Sequence, residues 1–246
     1  MKMKKKSLIM LVCALMVVSS MAFGTIAYLT DRAGVTNKFT IGNVDIVVDE
    51  TEVDENGDPV PDPDYDPEDP NDDPNKRTEE ENEYPLIPGS EYVKDPTMTV
   101  KAGSEESYVR MMVTISNALE IKTIFAELST QYEKYANGFV PHEHVVGWDN
   151  AVWEYIVDGY KEDTTANTIT LEFRYPEAVK PTDTEDKVLP ALFEKLKVPG
   201  ELTNKHLAML ENFSIDVYGN AIQTTGFQNA DEAWAAFDTQ MKVTGE

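Results

Sequence analysis

The sequence predicts an all-β protein, a β-sandwich with two or more added helices. Three observations point to this class. Short runs rich in β-branched and aromatic residues recur along the chain, several of them alternating apolar and polar, with turn residues between them. Two stretches carry a helical apolar stripe behind a capping signal. About two fifths of the 246 residues are apolar, which suffices for one sizeable core.

The chain opens with a basic stretch, Met1 to Lys6, then an apolar run from Leu8 to Phe23, then Gly24-Thr25-Ile26-Ala27. This is the three-part pattern of a secretory signal peptide, residues 1–27, with Thr25 and Ala27 as the small residues before the cut and Tyr28 as the first mature residue. The competing reading is a signal helix retained as a membrane anchor. The run is sixteen residues long. At ~1.5 Å rise it reaches only ~24 Å, short of a ~30 Å hydrocarbon core, and no basic stop-transfer cluster follows. The single cysteine, Cys13, lies inside this run behind the bulky Val12, too early for a lipid-modified cysteine. The exported chain is therefore expected to hold no thiol, which removes disulfides, thiolate metal sites and cysteine nucleophiles. The C-terminal MKVTGE has neither a wall-sorting motif nor an apolar tail, so retention at a surface is expected to be non-covalent.

Residues 28–48 read as an N-terminal extended segment or first strand. Phe39 and Ile41 share one face; after Gly42-Asn43 the phase shifts to Val44, Ile46 and Val48, as a bulge at Gly42 would produce. Residues 49–83 differ sharply, with seventeen acids, two bases and six prolines. Such a stretch is expected to be an extended, self-repelling, disordered loop. Asp54-Glu55-Asn56-Gly57-Asp58 matches the first half of a calcium loop, but Pro59 stands where that loop requires glycine and no glutamate follows at its last position. No cofactor is implied beyond loose calcium binding by the excess negative charge.

Residues 84–246 read as the β-sandwich domain with helical additions. Pro88-Gly89 is a turn signal, and Thr97 to Lys101 and Tyr108 to Ser116 read as strands. Asn117 to Tyr135 reads as a helix, with Asn117 and Glu120 as a capping box and Ile121, Ile124, Phe125, Leu128 and Tyr132 on one face. Asn137-Gly138 ends it. Strands are expected at Val152 to Tyr160 and Thr168 to Tyr175 around the turn KEDTTAN, the second with Ile169, Leu171 and Phe173 on one side. Val188 to Leu196 suits strand or helix. Phe213 to Gln223 reads as a last strand, and a terminal helix starts at Asn229, capped by Glu232, with Trp234, Phe237 and Met241 facing the core.

The formal net charge is −24, and loss of the four lysines before residue 7 takes the mature chain to about −28. A chain so acidic repels phosphate backbones, so nucleic acid is not an expected partner. His142-Glu143-His144 lacks the His-Glu-x-x-His spacing of a zinc protease, and no third ligand accompanies it; a polar loop is the plainer reading. His206 reads as an ordinary helix or turn residue. There is no nucleophile elbow, phosphate loop or dinucleotide fingerprint, and acid pairs such as Glu105-Glu106 are too common in this chain to suggest a glycosidase. The residues argue for no enzyme, and the Tyr- and Trp-bearing stretches read as core.

The junction GTIAYLTDRAGVTNKFTIGNVDI, residues 24–46, resembles the start of the TasA and camelysin family of Gram-positive biofilm-matrix proteins. The matching positions are Gly24, Thr25, Ala27 and Tyr28, then Asp31, Asn37, Phe39, Gly42, Val44, Asp45 and Ile46. YVRMMVTISN and AIQTTGFQNADEAW are similar to stretches of clostridial relatives with the same export signal. The resemblance implies processing by a SipW-like signal peptidase, a jelly-roll sandwich, and assembly into extracellular fibres in which one subunit's N-terminal segment completes the next subunit's sheet. Camelysin is also classed as a metalloprotease, although no zinc motif here matches that role. The acidic insert at 49–83 departs from TasA itself.

Strand donation fits the residues independently. The segment from Leu29 to Val48 lacks prolines and offers alternating hydrophobes, so it can add to an open sheet edge. Tyr28, Leu29 and Val35 mark the donor candidate; Phe39 and Ile41 suit either a donor or an ordinary first strand of their own sandwich. The leading expectation is a secreted, non-catalytic structural or accessory subunit of the extracellular matrix, partnered by itself or related subunits. A monomeric secreted module binding calcium or a surface glycan is the alternative, and a metallopeptidase the third reading.

Overall fold

The computed structural model describes residues 30–34, 39–41, 44–68 and 73–244. The signal segment 1–27, and with it Thr25 and Ala27, lies outside the described residues, as do Tyr28, Leu29 and Val35.

Thirteen strands and three α-helices follow one another among the described residues. The strands up to the first helix are β1 (Thr30–Gly34), β2 (Phe39–Ile41), β3 (Ile46–Thr51), β4 (Arg77–Thr78), β5 (Glu91–Val93), β6 (Thr97–Val100) and β7 (Ser107–Ile115). Helix α1 (Ala118–Ser129) leads through 3-10 turns to β8 (Val145–Val146), β9 (Glu154–Asp163) and β10 (Thr168–Arg174). Then come β11 (Lys187–Val188), β12 (Lys195–Lys197), α2 (Asn204–Met209), β13 (Ile215–Gln223) and α3 (Ala230–Thr244).

The strands make three antiparallel sheets: β2-β1-β13-β7-β10-β9, β11-β6-β3-β4 and β5-β12-β8. The first two face each other as a sandwich, so the expected all-β class with added helices holds. Alternation decides which side chains meet. Ile46 and Val48 of β3 and Met98 and Val100 of β6 are buried against Val109, Met111 and Val113 of β7. Gly219 in β13 permits the closest approach of the sheets, because a Cβ there would lie 2.5 Å from Met98 Cε and 2.8 Å from Val48 Cγ2.

Helix α1 buries Ile121, Ile124, Phe125 and Leu128, the expected stripe, but it ends at Ser129, six residues early. Its cap also differs from the expected box. Asn117 takes a left-handed backbone (φ 54°) and its side chain caps nothing. Asn167, in the β9–β10 turn, does the capping from outside: its backbone carbonyl accepts from Ala118 N, its Oδ1 accepts from Leu119 N at 2.9 Å, and its Nδ2 donates to Glu120. A cap borrowed from another element leaves no local sequence signal. The ambiguous stretch 188–196 is mostly extended coil between β11 and β12, with Leu189, Leu192 and Phe193 buried.

Helix α3 covers the outer face of the six-stranded sheet. The expected box is present: Asn229 Oδ1 accepts from Glu232 N, and Glu232 Oε2 accepts from Gln228 N. Trp234 and Phe237 are buried with Ile222, and Met241 packs at the margin. Under the helix the sheet face is charged. Arg110 is 4 % exposed and bonds Asn220 Oδ1, Glu172 Oε1 and Asp238 Oδ1, while Arg174 bonds Glu172 and Asp231.

The acidic stretch 49–83 corrects its expectation. In place of an extended, self-repelling loop, its described residues form a folded-back ladder continuing β3. Glu52 N donates to Lys76 O, Val60 N to Glu52 O, and Lys76 N to Val60 O, each at 2.8 or 2.9 Å. The cause is placed counter-charge. Arg77 spans Asp49 (2.7 Å) and Asp95 (2.6 Å), with Asp73 at 3.6 Å, and the buried Lys94 holds Glu50 at 2.6 Å. Asn82 Nδ2 donates to Glu50 Oε1 and to the Thr51 carbonyl.

Candidate functional site

The N-terminal segment comes to rest on a sheet edge. β1 runs antiparallel to β13 in the register Thr30↔Ile222, Asp31↔Ala221, Arg32↔Asn220, Ala33↔Gly219 and Gly34↔Tyr218. β2 turns back onto β1, so Phe39 pairs with Arg32 and Ile41 with Thr30. Of the donor candidates, these two are therefore partners within their own chain's sheet. The sites of Tyr28, Leu29 and Val35 fall outside the described residues.

On its other side β13 pairs with β7 through all nine residues, from Ile215↔Ile115 to Gln223↔Ser107. β13 is thus a firm strand whose outer edge, from Tyr218 to Ile222, is covered by β1 alone. Along this edge Asn220, Ala221 and Ile222 are buried, and Gly219 faces the opposing sheet. An extended backbone paired in register over five positions covers it, whichever chain supplies it.

The opposite edge, β9, is built differently. Its pairing with β10 shifts between Thr170 and Glu172, so Val157 to Tyr160 stand opposite little more than Leu171. Gly159 makes this possible, since a Cβ there would meet Glu172 Cβ at 2.6 Å. A bulge with Asp158, Lys161, Glu162 and Asp163 around it is a known protection against edge pairing. Among the described residues, the β1–β2 side is the regular edge of the six-stranded sheet.

The histidines do not form a metal centre. His142 and His144 lie in a 3-10 turn, Pro141–His144. His144 stacks on Phe139 (ring centroids 5.5 Å, 9°) and meets the edge of Phe125 at 4.9 Å. Burial, with His142 nearby, pushes its pKa down to about 4, so the ring is neutral at pH 7. His142 turns away to Trp148, at 5.4 Å. His206 is buried in α2, completing a box with Thr203 and lying 3.3 Å from Glu127. Among the described residues no three side chains of the metal-ligating types come together. The calcium-like motif is a turn closed on itself: Asp54 Oδ1 accepts from Asn56 N (2.8 Å) and Asp58 N (3.0 Å). Those backbone bonds, that of Asp58 first, hold the Asp54 carboxyl below its usual range.

Arg77, Lys94 and Arg110 are the residues that organise the charged parts, and reading the sequence missed them. The available signal was local: Arg77 is one of two bases among seventeen acids.

Fold and edge together define a β-sandwich protein with helical additions and an N-terminal strand pair, β1 and β2, at one end of its larger sheet. Residues 2–60 match the family described as camelysin metallo-endopeptidase, which is also the TasA family. The match stops at residue 60 and leaves most of the sandwich uncovered. Comparison with curated proteins gave no match, and neither did comparison with solved structures. The family description implies a metal, but the described residues do not fit one: His144 Nε2 is buried in an aromatic wall with no second ligand beside it.

Proposed function

We propose that the protein is exported and acts as a non-catalytic structural or accessory subunit of the extracellular matrix, assembling by strand donation at the β13 edge. The observation that carries this reading is the pairing of β1, which directly follows the export segment, with the Tyr218–Ile222 edge. A strand held mainly by backbone bonds at an edge can be exchanged for the same strand of another copy, since the bonds lost and gained are alike. Exchange in one direction is head-to-tail and does not close, which produces filaments. The bulged β9 edge limits growth to one mode.

A SipW-like signal peptidase would cut at Ala27-Tyr28 and free the donor. At about −28 per subunit, repulsion opposes close packing, so assembly speeds up with salt or calcium. Purified mature protein is examined by sizing column and negative stain, alongside a deletion of Tyr28–Val35. Filaments from the wild type and soluble, folded units from the deletion support the reading. Identical filaments from both sink it. Casein cleavage that a chelator stops would replace it with the peptidase reading.

A further inference from the structure

We propose that a cavity at the α1 end of the sandwich binds one uncharged, largely apolar small molecule that carries a carbonyl or hydroxyl oxygen. The cavity has a volume of about 540 Å³, within the range of small-ligand sites. Its walls come from separate elements: Ile115 at the end of β7, Ile124 and Phe125 of α1, Leu196 of β12, Leu202, and Phe213 before β13. These six side chains offer water no polar partner, so water has a place only along the polar part of the wall.

Three residues of the same wall carry polar atoms with no partner: Tyr84 Oη, Tyr92 Oη and His144 Nε2. Asn82 lies near Tyr84, but its amide nitrogen is engaged by Glu50 and the Thr51 carbonyl. Tyr92 is 6 % exposed. Native proteins leave few buried polar groups unpaired, and three around one hollow are accounted for by an oxygen that an occupant brings.

Charge selects the class. Asp49, Glu50, Glu81, Glu83 and Asp216 line the cavity, against Lys94 and Lys197. Lys94 is already committed to Glu50 at 2.6 Å. An anionic head such as a fatty-acid carboxylate meets net repulsion there. A cation finds Glu50 satisfied by Lys94 and Asn82, and the unpaired atoms are phenols and a neutral imidazole. Desolvation, with Glu50 adding, pushes the Tyr84 phenol up, so it stays protonated and donates.

The test uses the environment-sensitive fluorophore 6-propionyl-2-(dimethylamino)naphthalene, which is uncharged and bears a carbonyl, against the anionic 8-anilinonaphthalene-1-sulfonate. Saturable binding of one neutral probe per chain is expected, with the sulfonate at least about tenfold weaker. Leu202→Trp and Leu196→Phe fill the cavity from partly buried wall positions and should each weaken the neutral probe about tenfold while the melting transition persists. Tyr92→Phe removes one donor without changing packing, and should weaken the neutral probe several-fold, to about tenfold. If a filling variant fails to fold, Tyr92→Phe decides. No saturable binding of the neutral probe, equal affinity for both probes, or affinity unchanged in Tyr92→Phe and in the folded filling variants overturns the proposal.

Discussion

The guanidinium carbon of Arg110 sits 4.4 Å from the ring centroid of Trp234, stacked between the sheet below and α3 above. The same group lies 5.0 Å from Phe237 and bonds Asp238 on the helix and Glu172 on the sheet. Arg174 stands directly opposite Arg110 in the β7–β10 pair, so two like charges share one face and need Glu172 between them. Removing the Arg110 side chain leaves Glu172, 3 % exposed, with a single partner. Arg110→Ala should cost about 3–5 kcal/mol in urea unfolding, as breaking buried ion pairs does. A loss below about 1 kcal/mol would mean that α3 is held by its apolar face alone.

The distance between the two main sheets rests on Gly219. Its missing Cβ leaves room for Met98, Val48 and Ile46, which would lie 2.5, 2.8 and 3.2 Å from it. Met98 can swing its terminal methyl aside, but Val48 cannot move without its strand. Gly219→Val should therefore destabilise by about 1–3 kcal/mol, with Gly219→Ala at the low end. Thermal unfolding of the two variants checks both the sign and the order.

Acid should weaken the protein through His144. Its pKa falls from an ordinary 6.5 to about 4 in the folded state, so the unfolded chain binds the proton first as pH drops. The contribution is intact above pH 6.5, declines between pH 6.5 and 4, and is lost in full below that. Its size is roughly 3 kcal/mol. Carboxylates titrate in the lower half of this window, so the comparison is with His144→Phe, which fits the aromatic wall. The variant should show a shallower fall in stability from pH 7 to pH 5; parallel curves would remove His144 from the account.

The acidic ladder depends on Arg77. Its bonds to Asp49 and Asp95 are about a quarter exposed, and solvent screening keeps their worth to roughly 1–2 kcal/mol. Arg77→Gln should speed hydrogen exchange at the amides of Glu52, Val60 and Lys76 by about tenfold. The amides of β7 should be unaffected. Exchange at Glu52 that is already complete at the first time point in the wild type would restore the reading of this segment as an open loop.

Where side-chain type and spacing act locally, the sequence alone determined the outcome. The β7, β10 and β13 strands, the buried stripe of α1 and the α3 box of Asn229 and Glu232 follow from period-two alternation, helical periodicity and a capping pair a few residues apart. The resemblance to the camelysin family was legible for the same reason, in the contiguous stretch Gly24 to Ile46, which lies within the matched residues 2–60. What only the tertiary structure decided depends on residues far apart in the chain. The true cap of α1 is Asn167, nearly fifty residues downstream, so Asn117 misled. The acidic segment was judged on its own repulsion, whereas Lys94, placed just before β6, neutralises Glu50, and Asp95 beside it anchors the segment's own Arg77 to the sheet. The β13 edge and the cavity behind α1 exist only where strands from both halves of the chain close on one another. Their chemistry is a matter of distance through space, which composition and periodicity do not carry.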